Sequence, residues 1–182
     1  MHAILVHGWK GTPDYGWFPW LRRELEAVGY TTESLTLPNP LLPDRTEWVE
    51  VIKKAVHDPE VVLIGHSLGC PCILFALQEY AGDPIARVVL VSGFGRPFLF
   101  PHAAEWFGDA KIDFDLVRQR AKSWAVLHTR LDPIVPFREG EWLAKQLHVP
   151  MVEVESHPVG HLAPEDFAFE IPEIFQAVVS QV

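Results

Sequence analysis

Three residues in one chain order can do nucleophilic chemistry. Gly65-His66-Ser67-Leu68-Gly69 puts a serine at the centre of a G-x-S-x-G pattern. Asp132 follows in Asp-Pro-Ile-Val-Pro, and His161 in Val-Gly-His-Leu. A serine hydroxyl attacks poorly until a base takes its proton. A histidine base in turn needs an acid to hold its tautomer and to stabilise the imidazolium. Ser, Asp and His together spell acyl transfer, with Ser67 as nucleophile, His161 as base and Asp132 as its acid. The glycines fit that reading: Ser67 would sit on a sharp turn that side chains two residues away would crowd. At the N-terminus of a following helix it would also face a dipole that favours developing negative charge.

Each assignment has a rival. His157 lies four residues before His161 and competes as base. Asp166 competes as acid but follows the histidine. Asp-Pro is also an ordinary turn, and Gly-Ser an ordinary strand-to-helix connection. The turn at Ser67 should point its neighbour His66 elsewhere. His128, at a strand end, reads as a half-buried histidine, while His2, His57, His102 and His148 read as surface residues. An oxyanion needs two backbone N–H donors. Leu68, just after the nucleophile, should give one, and Trp9, in His7-Gly8-Trp9, the other. His7, Trp17, Phe94 and Ile134 are the expected substrate-pocket residues. Arg96 and Arg130 could bind a substrate carboxylate, although exposed arginines are usually solvated. The segment 93–108 holds Phe94, Phe98, Phe100, Trp106 and Phe107, and reads either as a small lid or acyl wall, or as core packing.

These residues need a scaffold that brings them together across nearly a hundred positions. Short apolar runs predict strands at Ala3–Val6, Leu35–Leu37, Val61–Ile64, Ala86–Val91, Trp124–His128 and Met151–Val154. Helical spacing fills the intervals: Trp17 to Val28 with Pro19 in its first turn, a helix opened by Asp44 and Glu47, an apolar helix from Leu68 to Tyr80, and stretches near 114–122, 137–147 and 172–179. Such alternation predicts a three-layer α/β architecture: a mostly parallel six-stranded sheet with helices on both faces. Ligands of such sheets bind at the carboxyl ends of the strands, where Ser67, Asp132 and His161 all fall. Their chain order is that of the α/β-hydrolase triad.

With 182 residues, 48% hydrophobic and 21% charged, the chain predicts a single domain over 1–182. A net charge of −9 repels phosphate backbones and argues against nucleic acid. Cys70 and Cys72 flank Pro71 too closely for an easy mutual disulfide, which with no Cys/His array predicts a reducing, cytoplasmic setting and no metal. No signal peptide and no membrane span are expected. The seven Trp and eleven Phe point to a rich core, a pocket walled by aromatics, or both.

HGWKGTP, the segment Trp17 to Leu21, GHSLG, LDPIVP and VGHL, in that order, resemble the small α/β-hydrolases of the retinoblastoma-binding protein nine and YdeN type. The resemblance runs over essentially the whole chain. It implies a compact hydrolase core with no large cap domain, hydrolysis of ester or amide bonds, and Ser67, Asp132 and His161 as a triad. The reaction expected of those residues is two-step acyl transfer through an acyl-enzyme on small ester bonds, with amide and thioester as options and no cofactor. Many such proteins carry two acids before the proline of the fifth-strand loop; here Leu131 replaces the first, leaving Asp132. A Leu-x-Cys-x-Glu peptide for retinoblastoma binding is absent, so that partner is not carried over. The expected partner is a small-molecule substrate, met by a monomer or weak dimer. The competing expectation is a catalytically silent interaction module on the same fold.

Overall fold

The computed structural model describes residues 1–98 and 101–180, the side chains of Pro101 and His102 aside. Phe100 and the His102 side chain thus lie outside the described residues. Six strands form one fully parallel sheet: β1 (His2–Val6), β2 (Thr31–Ser34), β3 (Val61–His66), β4 (Arg87–Val91), β5 (Trp124–His128) and β6 (Met151–Glu153). Their spatial order is β2-β1-β3-β4-β5-β6. The order reverses between β1 and β3, so the crevice expected of such sheets opens between the loops that follow those two strands.

The central strands are apolar on both faces because both faces are covered. On one face, α1 (Phe18–Ala27) and α7 (Pro172–Val179) bury Leu21, Leu25, Ile174 and Val178 against Ala3, Leu5, Val62, Ile64 and Val89. On the other, α2 (Arg45–Ala55), α3 (Gly69–Glu79) and α6 (Phe137–Leu147) bury Trp48, Ile52, Ile73, Leu74 and Leu143 against Ile4, Val6, Leu63, Val88 and Leu90. Asp44 caps α2 by accepting the Glu47 amide at 2.9 Å, as its spacing predicts. The α3 helix is buried nearly all round, which explains its unbroken apolar run.

Two expectations are corrected. β2 is Thr31–Ser34, not Leu35–Leu37. It is an edge strand with alternating exposure, so polar residues suit it, while Leu35 and Leu37 lie just past its end, buried in the α2-side core. The 114–122 helix is only α5 (Phe114–Val117) followed by a 3-10 turn at Arg118–Arg120. The chain must leave it there because Ala121 already bridges Ile85 on the way into β5. Segment 93–108 carries α4 (Pro101–Phe107): Phe107 and Phe94 are buried, as core packing predicts, while Phe94, Phe98 and Trp106 border a cavity. No described helix is long and apolar enough to cross a membrane.

Candidate active site

Ser67 occupies the hairpin between β3 and α3 with φ at +53°, a left-handed conformation that costs a serine free energy and persists only when its surroundings enforce it. The enforcement is visible. The Ser67 amide donates to the Val91 carbonyl at 2.9 Å, and the Ser67 carbonyl accepts from the Cys70 amide at 3.0 Å. A Cβ on Gly69 would collide with the backbone of Val6, and one on Gly65 would come within 2.8 Å of Ile73 Cδ1. Gly69 therefore lets α3 start directly against β1, and Gly65 lets α3 pack closely over the end of β3. Gly8 does the same for the loop after β1, since a Cβ there would lie 2.8 Å from Ser67 Cβ and 3.3 Å from the Leu68 nitrogen. That close approach brings the backbone next to Trp9 alongside the Leu68 amide at the start of α3.

His161 Nε2 lies 2.8 Å from Ser67 Oγ, and His161 Nδ1 lies 2.8 Å from Asp132 Oδ2. The other Asp132 oxygen accepts the Ile134 and Val135 amides at 2.8 and 2.9 Å. Asp132 has no exposed side-chain surface. Burial alone would raise its pKa. The hydrogen bond and charge of His161, the charge of His128 and the Val135 amide outweigh that and hold it below 3.8, so the carboxylate stays ionised. The loops carrying Asp132 and His161 are laced together: the Leu131 amide donates to Pro158, the Gly160 amide to Leu131 (3.0 and 3.1 Å), and the Thr129 hydroxyl to the Gly160 carbonyl at 2.6 Å.

Two residues that spacing alone placed elsewhere hold His161 in place. Asp166 does not touch the imidazole; its Oδ2 accepts the backbone amides of His161 at 2.6 Å and Ala163 at 3.1 Å. His66 points beneath the base, where its Nε2–H donates to the His161 carbonyl at 2.8 Å. Nothing in local sequence signals a contact between residues 95 positions apart. His157, by contrast, is half-buried and, among the described residues, hydrogen-bonds only with Ser156 Oγ, at 3.2 Å. His128 is fully buried rather than half-buried, donating from Nδ1 to Thr129 at 3.0 Å.

A cavity of about 670 Å³ opens over Ser67, within the range of small-molecule sites. Trp9, Leu68, Phe94 and Ile134 line it, as do His161 and Tyr15. Burial, then the charges of Glu165 and Asp166, push the Tyr15 hydroxyl up to about 12, so it remains a neutral donor. Two expected lining residues do not line it. Trp17 begins α1, is fully buried and packs edge-on against Phe18 and His66, because α1 covers the opposite face of the sheet. His7 is buried beside Trp48 and donates from Nδ1 to the Gly8 carbonyl at 2.9 Å, so it shapes the loop from below. Neither Arg96 nor Arg130 lines the cavity: Arg96 holds the buried Glu139 through two bonds, and Arg130 pairs with Glu153. Among the described residues, no three His, Cys, Asp or Glu side chains are grouped to hold a metal ion.

Burial of neutral histidines makes the site acid-sensitive. Burial, then the charge of His161, push His66 from 6.5 down to about 3. His7 and His128 move the same way, chiefly through burial. Between pH 6.5 and 3 the unfolded chain binds a proton at His66 that the folded chain refuses, and His7 and His128 act in the same direction below 6.5, so stability rises with pH across that window and falls on acidification. Asp132 adds to the loss only below its ordinary value. We expect the thermal midpoint to fall steadily as pH drops from 6.5 towards 4. His66→Gln, which keeps a donor for the His161 carbonyl but cannot titrate, should fall less steeply, the difference reaching a few kcal/mol on the order-of-magnitude scale of such shifts. Parallel slopes for the two proteins would contradict the assignment.

The family model for serine hydrolases matches residues 3–179. The chain is 30% identical to YdeN of Bacillus subtilis (strain 168) over 181 residues, covering 98% of this chain and 94% of that protein. It superposes on the crystal structure of the B. subtilis ydeN gene product with a TM-score of 0.89 and 29% identity, over 97% and 96% of the two chains. Est1E from Butyrivibrio proteoclasticus shares the fold at a TM-score of 0.73 and 15% identity, over 97% of this chain and 84% of that one.

Proposed function

The chain belongs to the serine hydrolase family, and from that premise we propose that it cleaves small carboxylic esters through an acyl-enzyme on Ser67. The observation that carries the reading is the unbroken hydrogen-bond line Ser67–His161–Asp132, 2.8 Å at each link. As Oγ attacks the substrate carbonyl carbon, its proton passes to His161 Nε2. The ionised Asp132 keeps Nδ1 protonated and offsets the charge on the ring. The Leu68 and Trp9 amides receive the oxyanion. When the tetrahedral species collapses, the bond to the alkoxy group breaks, the alcohol leaves with the proton from Nε2, and Ser67 holds the acyl group. Water then repeats the sequence, its proton going to Nε2 and back to Ser67 Oγ as the acid departs. Substrate and water are the only reactants. Esters are favoured over amides because an alkoxide leaves more readily than an amine, and an open site gives less help to a poor leaving group.

The enzyme so described acts on a small molecule as a monomer or weak dimer. Cys70 and Cys72 are free, buried thiols whose pKa burial raises, which suits the cytoplasm. Matched p-nitrophenyl esters and p-nitroanilides test the reaction class. Esters should turn over and anilides far more slowly, and His157→Gln should keep the ester rate within about twofold, since His157 makes no contact in the site. Faster anilide turnover, or loss of activity on changing His157, would contradict the reading.

A further inference from the structure

We propose that the groove beside Ser67 is an acyl-chain site that favours longer aliphatic acyl groups, octanoyl over acetyl, an inference that rests on the hydrolase reading above. Leu41 and Leu42 are 65% and 84% exposed and line the cavity that opens over Ser67. Single exposed leucines are ordinary. These two are held in place by a tethered loop. The Trp9 indole N–H donates to the Leu41 carbonyl at 2.9 Å, and the Lys10 amide to the Pro40 carbonyl at 2.8 Å. The Trp48 indole donates to the Pro38 carbonyl at 2.6 Å, and Pro38, Pro40 and Pro43 stiffen the loop further. The tether runs to the same loop after β1 that would supply an oxyanion amide, so the leucines sit in register with the reacting carbonyl.

The same cavity is also lined by aromatic side chains. Phe94 packs on Phe98 with ring centroids 4.9 Å apart, and Trp106 packs on Phe107 at 5.3 Å. Ile134, 40% exposed, completes the apolar lining next to the acid loop. Apolar side chains from both segments, with two leucines left exposed in the cavity that holds Ser67, fit a flexible hydrocarbon chain whose carbonyl lies at Ser67. A chain entering there would cover the leucines and gain by burying each methylene.

The test is kcat/KM for p-nitrophenyl esters from acetyl to octanoyl, on the whole chain. It should rise by about two- to fourfold per added methylene, the range between half-buried and fully buried CH2 groups. The Leu41→Asn, Leu42→Asn double variant should lower the octanoyl-to-acetyl ratio by about tenfold or more. A flat or falling series, or an unchanged ratio in the double variant, overturns the acyl site while Ser67-dependent acetyl turnover leaves the hydrolase standing. Absence of any Ser67-dependent turnover overturns both.

Discussion

Alanine at Ser67 is expected to lower kcat on p-nitrophenyl acetate by roughly a hundred-thousand- to a million-fold, with the fold intact. The size follows from what is lost. Without Oγ there is no covalent intermediate, and His161 has no proton to take. Any residual rate would come from the oxyanion amides and substrate binding alone. His161→Ala should be about as severe, because an unactivated hydroxyl is a weak nucleophile. The two losses should not add: once either member of the 2.8 Å pair is gone, removing the other takes nothing further. Additive losses, or a Ser67→Ala enzyme retaining more than about a hundredth of the rate, would mean that the residues do not act as one unit.

Asparagine at Asp132 is expected to cost about ten-thousand-fold in kcat. The change is nearly isosteric, and the oxygen that accepts the Ile134 and Val135 amides survives it. Thermal stability should therefore change modestly. What changes is the atom facing His161 Nδ1, where an acceptor becomes an NH2 donor. The imidazole must then carry its proton on Nε2, facing Ser67 Oγ with a hydrogen instead of a lone pair. Stopped assays with paired melting curves separate these effects. A loss below about tenfold at unchanged stability would show that Asp132 anchors a loop without setting the tautomer.

Much of this site can be read in the chain because its signals are local. The elbow announces itself by two glycines, and the structure gives each a collision it avoids. Asp132 and His161 stand out because they follow strands five and six, and the crevice of a parallel sheet lies at strand ends. The strands and helices with strong apolar periodicity, such as β5 and α6, fall where their patterns predict. The illegible parts are the long-range ones. His66 and Asp166 both grip the backbone around His161, yet neither spacing nor residue type reports a bond to a distant carbonyl or a loop amide. Trp17 misled for a related reason. It lies on a loop near the site in sequence, but the helix it starts runs along the far face of the sheet. Edge strand β2 was hidden by its polarity, since the neighbouring leucines carry the stronger apolar signal and pack beyond the strand.

The central claim is that Ser67 is a nucleophile activated by His161. The most direct measurement is peptide-level mass spectrometry of the native protein after treatment with a fluorophosphonate, which phosphonylates activated serines. The account predicts one adduct, on the peptide containing Ser67, absent in Ser67→Ala and strongly slowed in His161→Gln. A folded native protein that takes no label, or an adduct that persists in Ser67→Ala, would contradict it.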